Sequence, residues 1–458
     1  MRFSSRSVSE HAEAPLADEG RLDALVAAWE GRDPRVASAP EEGNADYVVA
    51  VVDPDCPPAS RAARLAEIEK LVLHQGDRVV GTEVLALREP TARTLLGRGA
   101  AESLAARARA AGANMLVLDR ELSPSQARNL EDLVLLPVCD REAVILNVFL
   151  RHARTRRAKV QVELAQLAYL RPRIRGVGIS MDQQAGGMAR ARGPGETASE
   201  LLARKLDDRV ARLERALAAL STSAETQRRG REGVRRIALV GYTNAGKTSL
   251  MNALTGASLS ARDAPFETLD TTSRTLTRHG GAVVVSDTVG FIRDLPARLL
   301  ASFESTLAEV TGAHLRVQVV DASDPERMLH VQTTDDVLER IGAAAIPRFF
   351  VWTKADRLEG PPGLGALAWA SGGAPFALLS TRDPAAIADA ARRILAAARA
   401  DEGEVTVFVP YEDAEASALV YARCRVIESR ADERGVWLTV RGSEAALAGV
   451  REKVRVYA

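Results

Sequence analysis

Cysteine is scarce: Cys56, Cys139 and Cys424 are the only three in 458 residues. They are too few and too far apart to frame a zinc site or a disulfide network, so the simplest reading is a reducing compartment with small buried thiols. An excess of one charge is also missing, since 61 Lys and Arg balance 61 Asp and Glu. No extreme of composition therefore points to a partner. No run of eighteen apolar residues occurs, and the opening MRFSSRSVSEHAEAPLADEG lacks an apolar core of signal-peptide length. These absences predict no membrane span and a cytoplasmic protein. What remains, 46% hydrophobic and 27% charged, is ordinary globular composition, and at ~150 residues per domain the length suggests about three domains.

The charge balance hides an uneven distribution. Between Arg151 and Arg236 there are 20 Lys and Arg against 9 Asp and Glu. Charge alone reads equally as a footprint for nucleic acid and as the solvated face of helices.

Residues 1–45 mix Ser, Glu, Ala and Pro with little periodicity and are expected to be a leader, with a short helix at RLDALVAAW. From Asp46 to Asp140, apolar runs (YVVAVVD, VLAL, NMLVLD, LPVC) alternate with helical stretches, which predicts a small parallel α/β unit. Residues 141–233 are expected to form a helical hairpin. Leu206, Val210, Leu213, Leu217 and Leu220 make one seam there, and QQAGGMARARGPGETASE is an exposed glycine-rich loop carrying Arg190 and Arg192. Five further strands alternating with helices predict a second α/β domain over 234–402, and 403–458 reads as a small α+β domain.

The chemistry concentrates in the second α/β domain. Gly241-Tyr242-Thr243-Asn244-Ala245-Gly246-Lys247-Thr248 fits G-x-x-x-x-G-K-[ST] between the strand RIALV and the helix KTSLMNAL. Such glycines let successive backbone N–H groups face a phosphate at a helix N-terminus. Lys247 would reach the β- and γ-phosphates, and the Thr248 hydroxyl would hold Mg²⁺. Asp287-Thr288-Val289-Gly290 ends the strand AVVV. Asp287 is placed to order the Mg²⁺ shell, and the Gly290 amide to bond a γ-phosphate. Thr353-Lys354-Ala355-Asp356 follows FFVW. A carboxylate there accepts from guanine N1–H and the N2 amine, which adenine cannot offer, and Lys354 would lie along the ring. Ser380, Thr381 and Arg382 fall where a loop backbone meets guanine O6.

In this order the motifs resemble the translation-factor class of Ras-like GTPases. GYTNAGK, FETLDTT, SDTVGFIRDLP, ELSPSQARNLE at 121–131, KVQVELAQL at 159–167 and RGPGET at 192–197 together resemble the HflX family of ribosome-associated GTPases, from about Asp46 to Ala458. That resemblance implies an N-terminal α/β unit and helical hairpin ahead of a Ras-like P-loop GTPase domain, GTP/GDP and Mg²⁺ as ligands, and a monomer. It also implies a partner in the large ribosomal subunit and its RNA, met through the basic hairpin and its glycine-rich loop, in order to split or rescue stalled ribosomes under stress. It makes Phe266, Glu267, Thr268, Leu269 and Asp270 the first switch, with Thr268 as the second protein ligand of Mg²⁺. Phe291 stands where Ras-type proteins carry the glutamine that orients water, so hydrolysis should be slow without the ribosome.

The chain departs from the family pattern in four places. TKAD replaces NKxD, so a threonine hydroxyl stands where an amide would donate to guanine N7 while tying loops together. The glycine loop is one residue longer, with Ala189 for a glycine. Glu267 and Thr271 replace a small residue and a proline, and GRGAAE at 97–102 lacks a lysine. The competing readings are a non-enzymatic RNA- or ribosome-binding paralogue with a weakened nucleotide site, and an ATPase or small-molecule kinase. Asp356 speaks against the last.

Overall fold

The computed structural model describes residues 43–174, 198–229, 234–256, 272–276, 283–358, 360, 363–454 and 456–457. Residues 1–42 of the expected leader, 183–197 of the glycine-rich loop with Arg190 and Arg192, and the switch segment 266–270 lie outside them; Ala45 already belongs to the first strand, and Ala198–Glu200 open a helix. The chain divides into two compact units, one through Asn147 and one from Val148.

In the first unit, strands β1 (Ala45–Val52), β2 (Arg78–Ala86), β3 (Met115–Leu118) and β4 (Val138–Asp140) form an all-parallel sheet in the order β2-β1-β3-β4. Every residue of β1 is buried, as expected of a parallel strand covered on both faces. Helices α1 (Pro58–Gln75), α2 (Arg98–Ala110) and α3 (Pro124–Val134) make the crossovers. α3 starts on a capping box: the Ser123 hydroxyl accepts from Gln126 N (3.1 Å) and the Gln126 side chain accepts from Ser123 N (3.0 Å), with Pro124 at the first helical position. Arg141, 1% exposed at the start of α4 (Arg141–His152), donates to Asp119 and Glu67.

Asp46 is fully buried on β1, and its carboxyl is pushed up to about 8, mainly by burial and then by Asp77. The folded state therefore holds a proton that the unfolded chain has released above pH 3.8, so this contribution to stability is lost as pH rises from about 4 to 8. The expected outcome is a denaturation midpoint that falls across that window, with a slope of at most about 1.4 kcal/mol per pH unit. Asp46→Asn should flatten it. An unchanged slope in that variant would place the titration elsewhere.

The second unit holds the helical pair, the larger sheet and the C-terminal sheet. Between residues 144 and 170, helix-compatible throughout by sequence, the chain breaks at Ala153–Thr155, where the Thr155 hydroxyl caps α5 (Arg156–Ile174) by accepting from Ala158 N at 3.1 Å. α5 packs against α6 (Ala198–Arg229), with Arg171–Asp207 and Arg209–Glu163 ion pairs across the pair. Of the predicted seam, Leu213 is buried and the other four residues are half-buried.

The six-stranded sheet runs β10-β9-β8-β5-β7-β6, built from β5 (Arg235–Val240), β6 (Thr272–Thr275), β7 (Val283–Asp287), β8 (Leu315–Asp321), β9 (Arg348–Thr353) and β10 (Phe376–Leu378). All are parallel except the edge strand β6, which sequence did not anticipate. Helices α7 (Lys247–Thr255), α8 (Ala297–Ser302), α9 (Glu304–Thr311), α10 (Arg327–Arg340), α11 (Leu364–Ala370) and α12 (Pro384–Ala398) complete it. α12 is capped by Asp383, which accepts from Ala385 N and Ala386 N. α5 also packs against α8. β11 (Gly403–Pro410), α13 (Ala414–Arg423), β12 (Arg425–Ala431), β13 (Gly435–Gly442), α14 (Glu444–Lys453) and the short β14 (Val456–Tyr457) form an antiparallel sheet, order β12-β13-β11-β14, with its two helices.

Candidate nucleotide-binding site

β5 lies between β8 and β7, so the strand order reverses at its carboxyl end. That is where open parallel sheets bind ligands, and it is where the chain puts Gly241–Thr248. Two glycines are required by geometry. Gly241 has φ 147°, and a Cβ on it would lie 2.2 Å from Val319 O; Gly246 is left-handed at φ 92° immediately before α7.

Lys247 opens α7 and is 6% exposed. Its Nζ donates to Gly241 O (3.1 Å) and Tyr242 O (2.7 Å). Burial pulls its pKa down to about 8, and Asp287 pulls the other way. The Thr248 hydroxyl donates to Asp287 Oδ2 at 2.7 Å, which brings a neutral and an anionic oxygen together. An oxygen-only set with few protein ligands suits a hard, largely hydrated cation such as Mg²⁺.

After β7, the Thr288 hydroxyl donates to Leu239 O (2.6 Å), and Val289 is buried. At Gly290 a Cβ would stand 2.9 Å from Thr243 Cα and 3.0 Å from Lys247 Nζ, so only glycine lets this segment approach the P-loop. Phe291 N donates to Gly241 O (3.0 Å), and Thr243 N donates to Phe291 O (2.7 Å). The Phe291 ring is 1% exposed.

On the other flank, the Thr353 hydroxyl lies 2.7 Å from Ala245 O and 3.1 Å from Val320 O. With one hydrogen, it donates to one carbonyl at a time, and either bond ties β9 to a neighbouring loop or strand. Lys354, left-handed at φ 55°, donates to Asn244 O (2.9 Å) and pairs with Asp321 (2.8 Å). Ala355 and Asp356 form a single 3₁₀ turn with Arg357. The Asp356 carboxyl is held below its usual value, first by a hydrogen bond with Ser380 and also by Arg382, 3.4 Å away. Arg382 N donates to Ser380 Oγ (3.2 Å), closing the turn that contains Thr381.

The structure thus gathers Gly241–Thr248, Asp287–Gly290 and Thr353–Lys354 around one loop, and sets Asp356 beside Ser380 and Arg382. Sequence reasoning missed the side-chain partners of this frame. Tyr242 was read only as P-loop backbone, yet its ring stacks on His330 (centroids 3.7 Å apart) and its hydroxyl accepts from Arg293 N at 3.0 Å. Asp321, the partner of Lys354, was signalled only as the acid ending the apolar strand LRVQVVD.

Comparison with known proteins gives the same picture along the chain. A family model described as GTP-binding GTPase N-terminal matches residues 62–150, one described as GTP-binding GTPase middle region matches 152–231, and one described as 50S ribosome-binding GTPase matches 236–354. The GTPase HflX of Spirochaeta thermophila is 48% identical over 279 residues, covering 60% of this chain and 68% of that protein. That of Akkermansia muciniphila is 41% identical over 306 residues, covering 65% and 70%. That of Gluconacetobacter diazotrophicus is 38% identical over 447 residues, covering 89% of this chain and 97% of its own. A likeness that runs through the N-terminal unit, the middle region and the P-loop domain alike reaches well beyond the motifs that GTPases share, and the chain belongs to the HflX family of GTPases.

Proposed function

We propose that this GTPase is a cytoplasmic, monomeric switch that binds Mg²⁺·GTP at the P-loop and acts on the large ribosomal subunit, splitting or rescuing stalled ribosomes. In this reading Lys247 leaves the Gly241 and Tyr242 carbonyls for the β- and γ-phosphates. The backbone N–H groups of 244–248 cradle the phosphate chain. Thr248 and Thr268 hold Mg²⁺, with Asp287 accepting from its shell, and Gly290 N–H meets the γ-phosphate. Bound there, Mg²⁺ would neutralise negative charge on the phosphate chain. Asp356 reads the guanine edge, Lys354 covers the ring, and the loop 380–382 meets O6.

The observation that carries the ribosomal part is packing. α5 of the basic hairpin rests on α8, which begins one residue after the segment SDTVGFIRDLP, and Phe149 meets Phe303 with ring centroids 5.3 Å apart. A partner that displaced the hairpin would therefore press on the helix that follows the γ-phosphate segment. The buried Phe291 offers no group to orient water, which supports slow hydrolysis in the free protein. The family-model description naming 50S ribosome binding, matched at 236–354, agrees with this partner.

Co-sedimentation with purified large subunits, using a non-hydrolysable GTP analogue across a salt series, tests the proposal. Binding should require the analogue and fall steeply with salt, as neutralised phosphates release counterions. Arg190→Glu with Arg192→Glu should cost ribosome binding and ribosome-stimulated hydrolysis together while sparing GTP affinity. Binding of the double variant indistinguishable from the parent's at every salt concentration would remove the ribosomal role from this loop.

A further inference from the structure

A cavity of about 300 Å³ opens between the six-stranded sheet and the C-terminal α+β part. It lies at the amino ends of the strands, bounded by Arg235 on β5, Val283 on β7 and His314 just before β8, and thus at the opposite pole from the P-loop. Its size is at the lower end of small-molecule sites, ~300–1,000 Å³, and junctions between domains are where such sites concentrate.

Its lining is cationic in a protein of zero net charge. Among the described residues, five arginines (Arg235, Arg399, Arg423, Arg425, Arg441) and His314 face a single acid, Glu402. Asp401 and Glu404 pair from outside, with Arg235 at 2.7 Å and Arg441 at 2.7 Å, and Arg425 shares Glu402 at 3.7 Å. With those two acids counted, two positive charges remain in excess. Arg399 and Arg423 close no ion pair and donate no side-chain hydrogen bond among the described residues. Arg235, with its side chain 9% exposed, spends Nη1 and Nη2 on Asp401 (2.9 and 2.7 Å) and faces Glu402 through Nε (3.4 Å), so it adds charge to the cleft rather than a free donor. The cations also crowd one another. Burial and then Arg425 push Arg399 down, while burial and then Arg235 and Arg236 push His314 down.

We propose that this cleft is a binding site for a compact polyanion of the di- or triphosphate kind, held by Arg399 and Arg423 with Arg235 behind them. Guanidinium forks suit phosphate oxygens, and each brings paired donors in a fixed plane. An anion here joins the C-terminal part to the starts of β5 and β7, the strands whose far ends carry Gly241 and Asp287. A cleft of about 300 Å³ favours a small anion over an extended polynucleotide backbone.

The test is calorimetric titration of inorganic tripolyphosphate into the full chain saturated with GDP, so that the P-loop is already filled. One saturable site per chain is expected, weakened roughly tenfold or more in Arg399→Glu/Arg423→Glu and in the milder Arg399→Gln/Arg423→Gln, with GDP affinity unchanged in both. No saturable binding, binding undiminished in both double variants, or binding abolished by GDP in competition would each overturn the site. Binding of an RNA duplex at these arginines without any of tripolyphosphate would assign the cleft to a polynucleotide and overturn the small-anion proposal.

Discussion

Lys247→Ala is expected to abolish tight binding of GTP and GDP, with a loss of about a hundredfold or more. The ammonium is the one cation buried inside the P-loop, and each hydrogen bond from a charged donor contributes roughly 1.5–3 kcal/mol. In the structure it donates to the Gly241 and Tyr242 carbonyls. Its pKa of about 8 gives the experiment a second readout. The native nucleotide-free state binds fewer protons than the unfolded chain between about pH 8 and 10.5, so its stability gains as pH rises through that window. Nucleotide needs the charged form, so binding above pH 8 takes up a proton and affinity weakens with rising pH, by about tenfold per unit at the limit for one group. Titration of labelled GTP at several pH values should show that slope in the parent and not in Lys247→Ala. Full affinity in the variant would dismiss the P-loop as the phosphate site.

Asp356→Asn should exchange the base. The carboxylate is ionised at neutral pH, kept so by Ser380 and Arg382, and offers two acceptor oxygens to the guanine N1–H and N2 amine. An amide keeps one acceptor and puts a donor where the second oxygen was, which opposes guanine and suits the extra carbonyl of xanthine. GTP affinity should fall by roughly ten- to a hundredfold, the range a two-point contact to a base edge supplies, and xanthosine triphosphate should gain. Competition between the two nucleotides for the variant reads this directly, and an unaltered preference would mean that TKAD does not read the base.

How much of this was legible in the residues varied with how local the physics is. The strands β1, β5 and β9 announced themselves as apolar runs (YVVAVV, IALV, FFVW) because both their faces are covered, and β8 did so through Leu315, Val317, Val319 and Val320 around Arg316 and Gln318. The P-loop did so because its glycines answer to backbone geometry that few sequences satisfy. β6 did not: Thr-Ser-Arg-Thr is polar and half-exposed, and it is a strand only because β7 offers it an edge. At Thr353 the sequence showed a hydroxyl in place of an amide that could donate to guanine N7, whereas its proximity to the carbonyls of Ala245 and Val320, 108 and 33 residues away in sequence, was not readable. The same holds for the stack of Tyr242 on His330 and for Lys354 with Asp321, since pairs distant in sequence leave no periodic trace.

The bonds between Phe291 and the P-loop have a mechanical consequence. Asp287 is fastened by the sheet and by Thr248, Thr288 by Leu239, Phe291 by Gly241 and Thr243, and the next anchor is Arg293 N on the Tyr242 hydroxyl. Only Val289 and Gly290 are left between the clamps, so a displacement of Gly290 pulls on the bonds at both sides. If Gly290 feels the third phosphate, the message leaves as a change in tension on Tyr242 and its stacked neighbour His330 on α10, like a string stopped at both ends.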